Sequence, residues 1–304
     1  MNFPWFGLFP LSFWGYALVL LILVHITIMG VTIFLHREQA HRAVDLNGGV
    51  QHFFRFWTWL TTAMNTKAWV AVHRKHHAKC ETKEDPHSPK IEGLPKVLFD
   101  GVELYSRHAK NKDTLEKFGK GTPNDWLEHN LYSRFPILGV TLMAVADLLL
   151  FGIAGITLWA LQMVAIPFFA AGVINGVGHH TGYRNFQTAD ASTNIVPWGV
   201  FLVGEELHNN HHAFPSSAKF SFRKWEFDMG WFYLKLLSIL GLAKIRRRTP
   251  TPVLAPNKTV IDLDTVRGII TNRMHVLRAF SKGVIKPVWK LQMSKTDSPE
   301  ERRT

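Results

Sequence analysis

Three observations predict an all-α integral membrane fold: about three transmembrane helices plus interfacial helices, with a cytoplasmic helical cap. Residues 1–35 carry no Lys, Arg, Asp or Glu. A second apolar stretch, 135–178, holds one acid, Asp147, and no base. All 35 Lys and Arg fall in two blocks, sixteen within 37–134 and nineteen within 184–303.

The run at 11–35, LSFWGYALVLLILVHITIMGVTIFL, has 25 residues. At 1.5 Å per residue it is long enough for a hydrocarbon core of about 30 Å. It lacks a basic leading region and an A-x-A-like site, so it reads as a retained anchor rather than a signal peptide. The segment 53–72 is apolar and aromatic but carries Arg55, Asn65 and Lys67, which suits an interfacial seat. The stretch 135–178 is 44 residues long, with Gly152 and Gly155 near its middle, and predicts two crossings joined by a very short turn. A short apolar piece at 195–203 and an amphipathic one at 229–243 follow. Residues 1–243 thus read as one membrane domain with its cap. Residues 244–304 read as a basic cytoplasmic tail, with a short helix around 262–280 and a frayed end.

Basic residues concentrate on the cytoplasmic side of membrane proteins. Both blocks are therefore placed there, with the N-terminus and the 152–155 turn outside. The formal charge of +12 is explained by this topology and by attraction to anionic membrane lipid, so nucleic acid is not expected as a partner. The single cysteine, Cys80, excludes an intramolecular disulfide framework and a Cys-rich zinc site.

The sixteen histidines are unevenly placed. One pair is His36-Arg-Glu-Gln-Ala-His41, where the first crossing ends. Two clusters are H-x-x-H-H: His73, His76, His77 and His208, His211, His212. A further candidate, His179, sits where the hairpin returns to the cytoplasmic face. Residues i, i+3 and i+4 share one helix face, so each H-x-x-H-H aims three imidazoles into one volume. The i, i+5 pair His36/His41 does not share an α-helical face and is expected to straddle a helix end. By chance this composition yields only about 0.04 such triplets per chain. All clusters lie on the predicted cytoplasmic side, provided 53–72 does not cross the bilayer once. Imidazole suits zinc, copper, iron and nickel alike. Nine rings are too many for one ion and suit two.

Elsewhere, His25 in the first crossing is expected to bond a neighbouring helix. Asp147 is expected within the bundle or near the outer interface. Glu205 and Glu206 are placed to orient ligand N–H groups, and His87 to stand behind the ligands. His180 reads as a neighbour of the ligands or a surface residue. His52, His108, His129 and His275 read as ordinary.

With these motifs the sequence closely resembles the membrane fatty acid desaturases of the Δ9 stearoyl type, over roughly residues 11–243. The family pattern H-x-x-x-x-H, H-x-x-H-H, H-x-x-H-H is matched by the three clusters. Its N-x-x-x-H element is matched by Asn175-Gly-Val-Gly-His179. Glu84-Asp85-Pro86-His87 and Gly204-Glu205-Glu206-Leu207 match as well. The resemblance implies a di-iron site in the cap: two iron ions (Fe2+/Fe3+) held by His36, His41, His73, His76, His77, His179, His208, His211 and His212, with Asn175 acting through a water. It implies O2 as co-substrate and a fatty acyl substrate carried on phospholipid or CoA, which gains a cis double bond at Δ9. Three departures shape the expectation. One helix rather than two precedes the first cluster, placing the N-terminus outside. Ala71 stands where acyl-CoA enzymes carry an Arg, which favours a phospholipid-bound substrate. No H-P-G-G haem element is present, so electrons are expected from an external donor such as ferredoxin and its reductase. A bacterial inner membrane is the expected location. The alternative activity is a di-iron membrane hydroxylase or monooxygenase of alkyl or lipid substrates. A metal transporter is disfavoured because the hairpin lacks a ladder of polar residues.

Overall fold

The computed structural model describes residues 7–249, 260–271 and 273–296, and these are mostly helical. They form two compact units, one from 7–184 with 189–249, the other from 185–188 with the described residues beyond 260.

In the first unit, α1 runs Phe13–Ala40. Ser12 caps it by accepting from the Gly15 amide. It is α-helical over Phe13–Met29 and π-wound over Gly30–Ala40, and the π-wound half is wholly buried. β1 (Val44–Leu46) pairs antiparallel with β4 (Ala243–Ile245), Val44 opposite Ile245. α2 (Gly48–Thr62) ends where Ala63 turns left-handed at φ 54°. Asn65 then caps α3 (Thr66–Lys79) by accepting from the Ala68 amide. The 53–72 segment is therefore two helices broken at 63–65 rather than one rod. Four short helices follow: α4 (Pro89–Glu92), α5 (Leu94–Phe99), α6 (Gly101–Ala109) and α7 (Lys112–Phe118).

The 135–178 stretch forms a helical hairpin. Pro136 starts α8 (Pro136–Phe151), where its missing N–H costs nothing. Gly152, at φ 65°, makes the turn. α9 runs Ile153–Val177 and becomes π-wound from Pro167, which cannot donate an α-helical hydrogen bond. α1 at 28 residues and α9 at 25 are long and apolar enough to cross a membrane, while α8 is a shorter apolar helix of 16 residues. Asp147 accepts a hydrogen bond from Gln162 across the hairpin at 2.9 Å, and Trp159 donates to the Val140 carbonyl at 2.9 Å. A Cβ on Gly155 would overlap the Asp147 carbonyl oxygen, so the two helices approach through a bare backbone. Gly155→Val is expected to cost about 1–3 kcal/mol by overpacking, read as a lowered unfolding temperature in detergent with the His-cluster residues untouched.

α10 (His208–Ala213) and α11 (Met229–Ile239) complete this unit, with β2 (Trp198–Gly199) parallel to β3 (Phe227–Asp228). His25 hydrogen-bonds the Tyr233 hydroxyl at 2.9 Å and so ties α1 to α11. The apolar core gathers around the π-wound end of α1: Ile33, Phe34, Leu35, Val44, Phe54 and Leu234.

Two members of the first basic block prove to be internal. Arg37 is fully buried and paired with Asp228 at 3.0 Å. Arg55 of α2 is buried and grips Asp125 at 2.6 and 2.7 Å and Glu128 at 2.8 Å. In the second unit the tail stays helical beyond the expected 280. α12 is Leu263–Thr271. α13 comprises Arg273–Phe280, π-wound Ser281–Ile285 and α-helical Lys286–Thr296.

Candidate metal centre

Four elements each bring histidines to one place. α1 brings His36 and His41. As expected, this pair straddles a helix end, with His36 inside α1 and His41 just past Ala40, but the winding there is π: the His41 amide donates to the His36 carbonyl at 3.0 Å. An i→i+5 bond closes one π turn, so His41 lies over His36, ring centroids 4.9 Å apart. α3 supplies His73, His76 and His77 from its last turns. From the same helix Arg74 donates to the Gln39 and Ala40 carbonyls at 2.7 and 2.9 Å, pinning α3 to the end of α1. Trp69 stacks on His73, 10° from parallel at 5.0 Å. α9 ends at His179. Gly178 has no Cβ to press on His208 of α10, which lets His179 and His208 approach to 3.1 Å between Nε2 atoms. α10 supplies His208, His211 and His212.

The nine rings sort into two groups whose ligand atoms lie within 4.8 Å of one another: His36, His41, His73, His77 and His211, then His76, His179, His208 and His212. In the first group Nε2–Nε2 separations are 3.0 Å for His36–His211, 2.8 Å for His41–His73, 3.1 Å for His73–His77 and 3.0 Å for His77–His211. In the second they are 3.2 Å for His76–His179 and 3.1 Å for His179–His208.

Carboxylates stand behind these rings. His36 Nδ1 donates to Glu205 at 2.7 Å, His76 Nδ1 to Asp85 at 2.9 Å and His212 Nδ1 to Asp190 at 2.9 Å. Glu81 lies 3.8 Å from His179 Nδ1. A proton on Nδ1 leaves Nε2 as a bare lone pair. Bare lone pairs about 3 Å apart repel one another, yet this is the spacing that ligands about 2.1 Å from a common ion make at right angles. The Nε2 of His212 and the Nδ1 of His208 and His211 are buried without a hydrogen-bond partner among the described residues. The donor set therefore fits two cations better than it fits protons. Burial, and then the neighbouring imidazoles, hold His73, His77, His208, His211 and His212 well below their ordinary pKa, so all five are neutral and able to ligate. Burial alone would raise Glu205, but the charge and hydrogen bond of His36, together with Arg37 and Thr32, hold it below its usual range.

Other predicted residues divide. Glu206 does not touch a histidine. It accepts from the Leu202 and Gly204 amides at 2.8 and 3.1 Å and shapes the loop before α10, while burial pushes its carboxyl up to about 7. His87 is buried, with its ring 4.4 Å from His76 and its Nε2 unpartnered among the described residues. His180 is exposed and bonds Thr181. His108 meets Lys75 at 3.1 Å. The side chain of His275 lies outside the described residues. Asn175 is half-buried in the π-wound end of α9, four residues before His179. Sequence reasoning missed Asp190 and Glu81, which no periodicity marks, and Thr32, which donates to Glu205. It also missed Cys80, about 4 Å from both His76 and His179. The i, i+4 spacing of His76 and Cys80 was the available signal for the last.

Two long apolar helices and a set of nine convergent imidazoles define a helical protein whose nitrogen ligands could hold metal ions. The fatty acid desaturase family model matches residues 11–240, and the chain belongs to that family. It is similar to Delta-9 acyl-lipid desaturase 1 of Arabidopsis thaliana, with 33% identity over 77% of this chain and 76% of the relative. It is also similar to sn-1 stearoyl-lipid 9-desaturase of Anabaena variabilis, 30% identical over 78% of this chain and 86% of the relative. Acyl-CoA C20 Delta5-desaturase of Anemone leveillei is 34% identical over 71% of this chain and 68% of the relative. The protein is therefore a desaturase-type oxidoreductase of the Δ9 group.

Proposed function

We propose that the protein uses O2 to insert a cis double bond at Δ9 of a saturated acyl chain carried on phospholipid. Two irons would be held by the five-histidine and four-histidine groups, with electrons arriving from a separate carrier such as ferredoxin and its reductase. The observation that carries this is the convergence of nine imidazoles into two groups, with His36, His41 and His179 at the ends of the two long apolar helices. When bound, the irons would supply oxygen activation for removing two hydrogens from an unactivated chain. The chain's own part is to fix ring orientation through Glu205, Asp85 and Asp190, to exclude water by burial, and to hold a water through Asn175 beside the four-histidine group. Ala71 is fully buried in α3. The position that bears an Arg in acyl-CoA enzymes thus offers no cation for a CoA phosphate here, which supports phospholipid over CoA as the carrier. The two long helices, the α8–α9 hairpin and the block-wise charge support three crossings of a bacterial inner membrane, with the site on the cytoplasmic face and the N-terminus outside.

The test is expression of wild type and His76→Ala in a host lacking desaturases, supplied with a ferredoxin and its reductase, followed by mass spectrometry of total lipid. Wild type is expected to give chains lighter by two hydrogens with the double bond at carbon 9, found on phospholipid before CoA. His76→Ala is expected to give none while reaching the membrane in equal amount. A hydroxylated product overturns the desaturase reading.

A further inference from the structure

We propose that α12 and α13 form a basic amphipathic arm that lies on an anionic bilayer surface. This goes beyond desaturation: the arm lies outside the 11–240 span of the family match. Its apolar residues recur at intervals of three, four or seven positions, as at Leu263, Val266, Ile270, Leu277, Val284 and Val288, the spacing of a helical stripe. That stripe is exposed: Leu263 is 75% exposed, Leu277 58% and Val288 57%. A stripe of this length left in water marks an interaction surface.

The charge identifies the occupant. The two acids within 260–296, Asp262 and Asp264, sit at the start of α12, where Asp262 accepts from the Thr265 amide and both favour the helix N-terminus. From 265 to 296 every charged residue is basic, and Lys282, Lys286 and Lys290 recur at i, i+4 and i+8 with exposed side chains. Trp289, 65% exposed, stands beside Lys290, as aromatic residues do at headgroup depth. Two copies of this arm packed stripe to stripe would bring like charges together, whereas an anionic lipid surface accepts both the apolar stripe and its basic flank. The π-wound turn Ser281–Ile285 just before Pro287 lets the helix pass a residue that cannot donate, so the pattern continues to Met293.

The test uses the full chain in nanodiscs of phosphatidylcholine alone or with about 30% phosphatidylglycerol, read by hydrogen exchange. Amides of 263–271 and 277–293 are expected to exchange at least tenfold more slowly in the anionic discs. The protection should shrink in ~0.5 M salt and in the triple variant Lys282→Glu, Lys286→Glu, Lys290→Glu. Equal exchange in the two lipids, indifference to the triple variant, or protection that grows with protein concentration, as pairing of copies would give, overturns the proposal. Amides of 13–29 and 153–166 are the internal reference. Their lack of protection would overturn the membrane reading instead, and the arm would then be scored by flotation of the same chain with anionic vesicles.

Discussion

Asp228→Ala is expected to destabilise the protein by about 3–5 kcal/mol, because it leaves a fully buried guanidinium without its counter-charge. Arg37 Nη2 donates to Asp228 at 3.0 Å, with both side chains at 0% exposure. Its Nη1 donates to Thr32 at 3.0 Å, and its carbon lies 3.9 Å from the centre of the Phe220 ring. Gly204 and Gly230 leave the slot it fills, since a Cβ on either would collide with it. Asp228 does more than balance charge. It accepts from the Phe220 amide at 2.7 Å and the Trp231 amide at 2.8 Å, capping α11. Its loss therefore strands two amides as well as a cation. Arg37 follows His36 directly and shares Thr32 with Glu205, so cation retention should fall together with stability. The expected drop in unfolding temperature is on the order of 10 °C. Glu84→Ala, which removes the exposed Lys79–Glu84 pair, should change it little. Replacing both partners, Arg37→Met with Asp228→Asn, should cost less than Asp228→Ala alone, since no unpaired charge remains. A double variant less stable than Asp228→Ala would show that the pair contributes net attraction beyond its own desolvation.

The same residue shows what the sequence could and could not reveal. Arg37 opens the first basic block, which the bias of basic residues toward the cytoplasmic side places there. Its partner lies 191 positions away, and no local pattern announces it. The histidines were legible because H-x-x-H-H is a helical-face pattern that survives any tertiary arrangement. The sorting of those rings was not legible: His76 and His77 are chain neighbours yet enter different groups, because successive residues on a helix point about 100° apart. The face shared by His36 and His41 was not legible for a related reason. Their spacing excludes a shared face only under α winding, and the sequence of the first crossing carries no signal that its last 11 residues wind as π-helix. The hairpin was legible from Gly152 and the absence of basic residues. The break at Ala63 was not, since alanine is a residue that usually continues a helix.

Acid is expected to empty and then unfold the site over a narrow range beginning near pH 6.5. Burial first, and neighbouring imidazoles second, lower the folded-state pKa of His41, His73, His77, His208, His211 and His212 well below the ordinary imidazole value of about 6.5. The sign follows from proton binding. Below pH 6.5 the unfolded chain takes up protons that the folded site refuses, so stability is fully present above 6.5 and falls as pH drops toward the folded pKa. Each such ring contributes a slope of up to about 1.4 kcal/mol per pH unit, and three titrating together remove about 3 kcal/mol between pH 6.5 and 5.5. A bound cation delays this, because protons must displace it from nitrogen before the rings can charge. Metal content after dialysis, together with unfolding temperature, measured from pH 7.5 to 5.0, should therefore show the ions leaving before the fold is lost. Protein stripped of metal by a chelator should unfold at higher pH than loaded protein. Carboxylate support should grade the loss. Among the described residues, Glu205 is the carboxylate hydrogen-bonded to the five-histidine group, while the four-histidine group has Asp85 and Asp190 hydrogen-bonded to its rings and Glu81 nearby. Negative charge behind a ligand raises its hold on a cation, so the five-histidine group should release first, and Glu205→Gln should move that first step to higher pH while leaving the second in place. Equal metal content at pH 7.5 and 5.0, with an unchanged unfolding temperature, would mean that these rings are not held neutral by burial and that the two groups are not poised as described.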